Sequence, residues 1–218
     1  MLTFLHTAES NVAAVTKLMS ELAPEIPIRH HLHPELLAEA VKAGTVTDAV
    51  AAGVRQRMSD AAQDVSVIVC TCSTIGAVAE ATNGSFQAPV QRIDRAMAEL
   101  AVSKGQRILI AACVASTVGP TSDLIANVAR EAGRPVNVRV VLIAEAWPKF
   151  LAGNVKGYEE AIVERLVQEK GDADVVVLAQ ASMAGAATDA ERRIGLPVLT
   201  SPRLGVTAAI AAWRRAKG

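Results

Sequence analysis

The stretch VIVCTCSTIG, residues 67–76, constrains the fold of this chain more than any other. Four apolar residues are followed by small polar residues and then by an Ala-rich segment. A short unbroken apolar run is typical of a strand buried on both faces of a parallel sheet, and the segment after it predicts a helix. Residues 175–184, VVVLAQASMA, repeat this pattern 108 positions later, with Gln180 at the position of Cys72.

The rest of the chain repeats at nearly the same spacing, in the same order. The further matched segments are Ile28–His30 with Val138–Val140, Ala43–Val46 with Ala152–Val155, and Pro89–Val90 with Pro197–Val198. Strand and helix patterns also alternate from end to end, which predicts an α/β protein with parallel sheets. We expect two pseudo-symmetric Rossmann-like or flavodoxin-like lobes, each a parallel sheet flanked by helices, with the active site in the cleft between them. The first lobe would comprise 1–94 plus 201–218, and the second 95–200.

Composition and charge exclude several classes of function. Lys plus Arg and Asp plus Glu both number 22, so no basic surface for nucleic acid or for a membrane is indicated. No apolar run reaches the roughly 18 residues of a membrane span, and no secretion signal is recognisable. The three cysteines have no disulfide spacing, which favours a reducing compartment. We therefore expect a cytoplasmic protein.

Small hydroxyl side chains dominate the predicted carboxyl ends of the strands, where ligands bind in open parallel sheets. Together with the amides of helix N-termini they suit a small anion such as a carboxylate. The glycine-rich nucleotide motifs are absent. The candidate substrate-binding residues are Thr7, Ser10, Ser73, Thr74, Ser116, Thr117, Ala181 and Ser182.

Three cysteines lie at or near these strand ends. Cys72 stands where a strand gives way to a helix, and a thiol there can have its pKa lowered to roughly 3.5–7.5. It could then remove a proton from carbon or attack as a nucleophile, or it could simply be a small buried residue. Cys70 is expected in the core, and Cys113 could face either the core or the cleft.

The cluster His30, His31 and His33 invites a metal-site interpretation. No further ligand motif accompanies it, and Pro34 starts the next helix at once, so we predict histidines at a strand terminus and no metal. One of them could still contact a ligand. Arg92 and Asp94 follow another strand and are expected to form an ion pair. The sequence indicates no cofactor.

These motifs together resemble the aspartate/glutamate/hydantoin racemase superfamily, which also contains arylmalonate decarboxylase and maleate isomerase. The resemblance covers nearly the whole chain. It rests on the two-lobe duplication and on four segments, Cys72-Ser73-Thr74, Ser116-Thr117-x-x-Pro120-Thr121, Val177–Met183 and Ile93-Asp94-x-x-Met97.

The resemblance implies that two cysteines face one carboxylate-bearing carbon and exchange its proton from opposite sides. Cys72 matches the first cysteine, and Ser73, Thr74, Ser116 and Thr117 would hold the substrate carboxylate. The second cysteine is replaced by Gln180, and an amide is neither an acid nor a base at neutral pH. The resemblance also implies a homo-oligomer, a dimer or larger.

Three functions are compatible with this departure. We predict a racemase or isomerase without cofactor that acts on a small carboxylate or amino-acid-like substrate. Cys72 would be the base, and Cys113, a histidine or a trapped water would be the acid. The alternatives are a one-thiol decarboxylase similar to arylmalonate decarboxylase and a non-catalytic carboxylate-binding protein.

Overall fold

The structure, a computed structural model, describes residues 1–217. Within them lie eight strands and ten α-helices. The strands are β1 Leu2–His6, β2 Ile28–Leu32, β3 Val67–Cys70, β4 Val90–Arg92, β5 Arg107–Ala112, β6 Asn137–Leu142, β7 Val175–Leu178 and β8 Val198–Thr200. The helices are α1 Glu9–Leu22, α2 Pro34–Ala43, α3 Asp48–Ala61, α4 Ser73–Glu80, α5 Arg95–Lys104, α6 Ala115–Glu131, α7 Trp147–Leu151, α8 Val155–Glu169, α9 Ala187–Ile194 and α10 Ser201–Arg215.

The strands form two parallel four-stranded sheets with the same topology. Their orders are β2-β1-β3-β4 and β6-β5-β7-β8. Each sheet therefore has the 2-1-3-4 order of flavodoxin-like folds, in which the order of the strands reverses beside the first strand. This confirms the predicted fold class.

The internal repeat is visible in the register of the two sheets. Leu2 is the Cα partner of both Ile28 and Val67, whereas Ile108 is the partner of both Val138 and Val175. The residues matched by the sequence repeat thus occupy equivalent rows of the two sheets. The duplication is a duplication of strand register as well as of sequence.

The chain divides into two compact units. The first unit comprises residues 1–96 and the C-terminal segment that begins at Pro202. The second unit is Met97–Ser201. Each unit contains one of the two sheets, so the units follow the duplication.

Helices cover both faces of the sheet in the first unit. On β1, Leu2 and Phe4 point to one face and pack with α1 and α10, whereas Leu5 points to the other and packs with α2, α3 and α4. Successive side chains of a strand point to opposite faces, so an unbroken apolar strand supplies both layers. In this way α10 belongs to the core of the first unit.

In the second unit, an apolar core lies on the face of the sheet that α8 and α9 cover. Leu109 and Ala111 of β5 pack there against Tyr158 and Ile162 of α8. Tyr158, the one tyrosine of the chain, is fully buried in this core.

Equivalent turns join helices in the two units. Gly44 and Gly153 both adopt a positive φ, +71° after α2 and +72° after α7. The next helix is then capped by a side-chain oxygen, that of Thr47 on the amide of Val50 or that of Asn154 on the amide of Gly157. A glycine at the end of one helix and a polar cap on the next are strong local signals for helix ends, and both features occur in each unit.

The sequence pattern predicts a helix from Cys72 to Asn83-Gly84, a helix after Gln180 and a last helix from Val206 to Arg215, and the structure differs in all three. The helix after Cys72 was expected to reach Asn83, but α4 ends at Glu80, because the Thr82 hydroxyl donates to the carbonyl oxygen of Ala79 and Asn83 accepts from the amide of Val90. The expected helix after Gln180 begins as a 3₁₀ helix over Ala181–Ala186. The last helix begins at Ser201 rather than at Val206, because Pro202 is well tolerated in a first helical turn.

Candidate active site

Cys72 lies at the junction between β3 and α4. The strand is buried along its length, and the chain continues through Thr71 to Cys72, which occupies the N-cap position of α4 in extended conformation. The thiol is therefore at a helix N-terminus, where partial positive charge accumulates. Only 7% of Cys72 is exposed. The predicted position of the thiol at a strand-to-helix junction is confirmed.

Two opposing influences set the pKa of the Cys72 thiol. Burial raises the pKa, because a thiolate loses its hydration there. The Thr7 hydroxyl and the backbone amides of Ile75 and Thr74 act in the other direction, by hydrogen bonding to the charged form. Burial outweighs them, so the pKa lies above its ordinary value and the expected lowering is wrong. The reason is that the thiol is covered by the core as well as by the helix end.

The other predicted residues of the first unit lie in different surroundings. Thr7 is buried directly after β1. Ser73 and Thr74 are buried in the first turn of α4. Ser10 is exposed in the first turn of α1. The structure thus brings Thr7 and Thr74 to the Cys72 thiol, and Ser10 is not among the contacts described there.

Cys70 is a core residue, as expected. It is fully buried two residues before Cys72, and its thiol donates to the Cys72 carbonyl oxygen at 3.6 Å. Burial, with the neighbouring Cys72 as a smaller cause, raises the pKa of Cys70 far above its ordinary value. A thiol that stays neutral and faces the core has no access to a ligand.

Gln180 occupies the corresponding junction of the second unit, directly before the 3₁₀ helix. Its Oε1 accepts two backbone hydrogen bonds, from the amide of Cys113 at 2.6 Å and from the amide of Val114 at 3.1 Å. These amides immediately precede α6 and point along the direction in which a helix N-terminus binds anions. The side-chain oxygen Oε1 of Gln180 therefore occupies the position at which these two amides could otherwise bind an anion.

This arrangement also fixes the orientation of the Gln180 amide. Two N–H donors can be matched only by the oxygen, so Nε2 with its two hydrogens faces away from them. Among residues 1–217 no hydrogen-bond partner of Nε2 is described, and the side chain is half-buried. Gln180 can thus offer donors to a ligand while it cannot transfer a proton.

Ser116 and Thr117 lie in the first turn of α6, and both are buried. Ser116 Oγ has no hydrogen-bond partner within residues 1–217. Thr121 Oγ1, one turn later, is buried and unpartnered in the same sense. A buried hydroxyl without a partner is energetically costly, so Ser116 is well suited to bind a polar group of a ligand.

Tyr158 joins two predicted residues and was missed by the sequence analysis. Its hydroxyl lies 3.0 Å from Ser182 Oγ and hydrogen-bonds the Cys113 thiol. Burial raises the pKa of Cys113 to about 11 and raises that of Tyr158 as well. Cys113 thus packs in the core of the second unit. Ser182 and its neighbour Ala181 are half-buried at the surface of this core. The only signal for Tyr158 was its uniqueness in the composition.

Arg92 and Asp94 form the expected ion pair. Arg92 Nε donates to one carboxylate oxygen at 2.7 Å and Arg92 Nη2 donates to the other at 3.0 Å. Both side chains are buried. Asp94 and Glu80 raise the pKa of Arg92 against the opposing effect of burial, so the guanidinium stays charged. The pair orders the segment between β4 and α5.

His6 ends β1, His30 is the middle residue of β2, and His31 and His33 lie on either side of the last residue of β2. His30 hydrogen-bonds His6, and His33 Nδ1 lies 3.2 Å from Glu35 Oε1. Within the described chain, no group of three or more His, Cys, Asp or Glu side chains could hold a metal ion. None of the helices in residues 1–217 has the length and apolar character needed to cross a membrane.

Known proteins share this fold over most of their length. Aspartate racemase from Picrophilus torridus is similar with a TM-score of 0.71 at 17% identity, over 98% of this chain and 94% of that one. Glutamate racemase from Bacillus anthracis is similar with a TM-score of 0.72 at 12% identity, over 100% and 82%.

A third solved structure is a double variant of arylmalonate decarboxylase in which a glycine is replaced by cysteine and a cysteine by serine. Its TM-score is 0.58 at 16% identity, over 97% of this chain and 92% of that one. Identities this low establish the shared fold alone. A comparison with curated proteins gives no match. The family model described as Asp/Glu/Hydantoin racemase matches residues 6–209, nearly the whole chain. The chain therefore belongs to the Asp/Glu/hydantoin racemase family.

Proposed function

We propose that this protein is an isomerase-type enzyme that moves a proton at the α-carbon of a small carboxylate or amino-acid-like substrate, without a cofactor, with Cys72 as the base. The observation that supports it most is the setting of the Cys72 thiol at the start of α4. The Thr7 hydroxyl and two helix amides are arranged there to stabilise a thiolate. Membership of a racemase family supports the same chemistry.

A buried thiolate with a raised pKa suits this role. A base removes a proton from carbon more readily when its own pKa is high, provided that the charged form can be reached at the working pH. Burial raises the pKa of the Cys72 thiol and so makes its thiolate more basic, whereas the hydrogen bonds from Thr7, Ile75 and Thr74 limit the rise. A ligand that excludes water from the thiol would strengthen these contacts further.

We propose that small residues, all but one of them with a hydroxyl group, bind the substrate carboxylate. The proposed binding residues are Thr7, Ser73, Thr74, Ser116, Thr117, Ala181 and Ser182, with Ser10 at the periphery. Ser116 provides the best support, because its hydroxyl is buried and unpartnered within the described residues. A bound carboxylate would accept that hydrogen bond and remove the energetic cost.

Gln180 has a different part in the proposed reaction. Its Nε2 would donate a hydrogen bond to an oxygen of the substrate, on which negative charge develops as the proton leaves. It supplies no proton of its own. We therefore expect Cys72 to exchange the proton on one face faster than inversion occurs, because inversion needs a trapped water to deliver a proton to the opposite face.

Solvent exchange tests the proposal. The protein is incubated in D₂O with a panel of amino acids, hydantoins and hydroxy acids, and the α-proton is followed by NMR. We expect exchange of at least one substrate, a loss of at least about a hundredfold in Cys72→Ala, and little change in the control Cys70→Ala. Exchange that persists in Cys72→Ala would contradict the role of Cys72. Binding without exchange would instead indicate a carboxylate-binding protein.

The variant Gln180→Cys extends the same experiment. It introduces a second thiol and releases the amides of Cys113 and Val114. If the two half-sites act on one substrate molecule, this variant should gain inversion of configuration, measured by chiral chromatography. The control Gln180→Ser releases the same amides without supplying a base. Equal inversion in the two variants would contradict the assignment of Gln180.

A one-thiol decarboxylase is the second candidate. The observation in its favour is that only one of the two equivalent junctions carries a thiol, Cys72 but not Gln180. In such a reaction a protonated Cys72 would deliver a proton to the carbanion left after loss of CO₂. Release of CO₂ from arylmalonates, with no exchange in the amino acid panel, would favour this candidate.

Cellular setting and assembly belong to the same proposal. The three cysteines are free, which fits the reducing cytoplasm. We expect a homo-oligomer, a dimer or larger, and light scattering of the purified protein tests this. A monomer at micromolar concentration would contradict the expectation.

A further inference from the structure

His6 is a buried histidine that the proposed reaction does not use. Its hydrogen-bond partner Thr71 directly precedes Cys72, the proposed base. His6 is the last residue of β1, fully buried, and is followed directly by Thr7. Both ring nitrogens are hydrogen-bonded: Nδ1 lies 2.9 Å from Thr71 Oγ1, and Nε2 lies 2.8 Å from His30 Nδ1. The ring therefore connects β1 to both neighbouring strands at the end of the sheet where Cys72 lies.

The directions of these hydrogen bonds follow from the donors available. The Thr71 hydroxyl donates its single hydrogen to the Leu5 carbonyl oxygen at 3.1 Å. It can then only accept from His6, so Nδ1 of His6 carries a hydrogen. In a neutral ring Nε2 must then accept, which makes His30 Nδ1 the donor. The ring of His6 has one tautomer that satisfies all its partners.

The hydrogen bond between His30 and Thr16 can reverse its direction without changing the hydrogen bonds of His6. His30 Nε2 lies 3.1 Å from the hydroxyl of Thr16, which is also 2.8 Å from the Val12 carbonyl oxygen. If His30 is neutral, Thr16 donates to it. If His30 is protonated, it donates to Thr16, which donates to Val12. In both cases His6 keeps the same hydrogen bonds.

The surroundings keep His6 neutral. Burial, with His30 and His31 as smaller causes, lowers its pKa to about 3. The other charged groups that influence this region act on His31, and they are His33, Arg29 and Asp60. His6 thus remains uncharged throughout the range in which a cysteine titrates.

We propose that His6 is a positioning residue for Cys72, fixed as the neutral Nδ1–H tautomer, which holds Thr71 and Thr7 so that the Thr7 hydroxyl reaches the thiol. Thr71 and Thr7 are the chain neighbours of Cys72 and His6, respectively. The hydrogen bond from His6 to Thr71 ties the two strand ends together, and the Thr71 amide adds a bond to the Leu5 carbonyl oxygen at 2.9 Å. The inference rests on the proposed function only in treating Cys72 as the reactive group.

NMR of protein labelled with ¹⁵N-histidine tests the tautomer. We expect His6 in the Nδ1–H form, which neutral His30 shares, without titration of His6 between pH 5 and pH 9 and with its signals assigned by their loss in His6→Asn. Titration of all four histidines near their ordinary pKa, or an Nε2–H form for His6, would overturn the assignment.

Alkylation of Cys72 by iodoacetamide, resolved by peptide mass spectrometry, tests the positioning role. In His6→Leu and Thr71→Val we expect the midpoint of the pH–rate curve to rise by about one unit, which is roughly a tenfold slower reaction below the midpoint. His6→Asn retains an N–H donor near Nδ1 and should restore most of the difference. His33→Gln, a histidine outside the hydrogen-bonded chain, is the matched control and should behave as the wild type.

Coupling to Thr7 separates positioning from a general loss of structure. If His6 acts through Thr7, then His6→Leu should add no further shift in a Thr7→Val background. An unchanged midpoint in both His6→Leu and Thr71→Val, or fully additive shifts, would overturn the proposal. If His6→Leu fails to fold, the test of the proposal rests on Thr71→Val alone, because valine has nearly the same shape as threonine. Alkylation needs no substrate, so absence of solvent exchange would reject the proposed function and leave this result standing.

Discussion

At the scale of single residues, the two equivalent junctions differ in chemistry and in what holds the side chain. Cys72 is contacted by a hydroxyl and by helix amides, whereas Gln180 uses its own oxygen to satisfy two amides before α6. The amide of Gln180 is therefore neither an acid nor a base at its junction, but it is held in one orientation. Its oxygen accepts from two backbone amides, and the two hydrogens of its Nε2 are left as donors.

The reactivity of the Cys72 thiol should rise steeply with pH. Burial raises its pKa, so the reactive thiolate becomes more abundant as the pH rises beyond the ordinary range for cysteine. We expect the rate of iodoacetamide alkylation to increase about tenfold per pH unit between pH 7 and pH 8. Cys113, whose pKa is about 11, provides an internal comparison and should become reactive only at higher pH. A rate that is constant over this range would show that the thiol is already ionised.

At the scale of elements, close approach between α4 and β4 orders the region beside Cys72. Gly76 of α4 lies under the guanidinium of Arg92: a Cβ built on Gly76 would lie 2.9 Å from Arg92 Nε. Arg92 is in turn held by Asp94. The absence of a side chain at Gly76 is therefore required by a buried ion pair.

Gly76→Ala should destabilise the protein although alanine favours helices. The added methyl group forces Arg92 away from Asp94, and disturbing a buried ion pair costs more than the gain in helix propensity of about 0.5–1 kcal/mol. We expect a net loss of about 2 kcal/mol in the free energy of unfolding, measured with urea. Gly119→Ala in α6 is the matched control, because nothing lies within 4 Å of its added Cβ. It should be neutral or stabilising, and equal losses in both variants would contradict the explanation.

At the scale of the whole molecule, the two sheets are duplicates, but the helix after the last strand packs in the same unit as the first strand. The two sheets share strand order and register, yet α10 follows the last strand of the second sheet and belongs to the core of the first unit. Ala209 of α10 is fully buried in that core with Phe4 and Val69. The first unit therefore requires both ends of the chain.

Ala209→Asp should weaken the first unit strongly. A carboxylate at this position would be buried without a partner, which we expect to cost about 3–5 kcal/mol in the free energy of unfolding. Ala211→Asp, at an exposed position of the same helix, controls for helix propensity and should cost less than about 1 kcal/mol. Urea unfolding followed by tryptophan fluorescence, to which Trp213 of α10 and Trp147 of the second unit both contribute, measures both. Similar losses in the two variants would mean that α10 does not depend on this packing.

Much of the architecture could be predicted from local patterns. The unbroken apolar runs before Cys72 and Gln180, the repeat near 108 positions and the end of α2 at Gly44 all reflect burial or backbone preference that neighbouring residues determine. These signals need no knowledge of distant contacts. They led to the two parallel sheets, to the thiol at a strand-to-helix junction and to its replacement in the second half of the chain.

Local sequence patterns are thus sufficient to predict the fold class, the repeat and the residues at the two equivalent junctions. The tertiary structure alone decided how the chemistry is arranged: the Oε1 of Gln180 on the amides of Cys113 and Val114, the hydroxyl of Tyr158 beside Ser182, and His6 between two strands. Each of these contacts joins residues more than twenty positions apart. Their geometry depends on strand order and register, and these emerge only when the sheets are assembled.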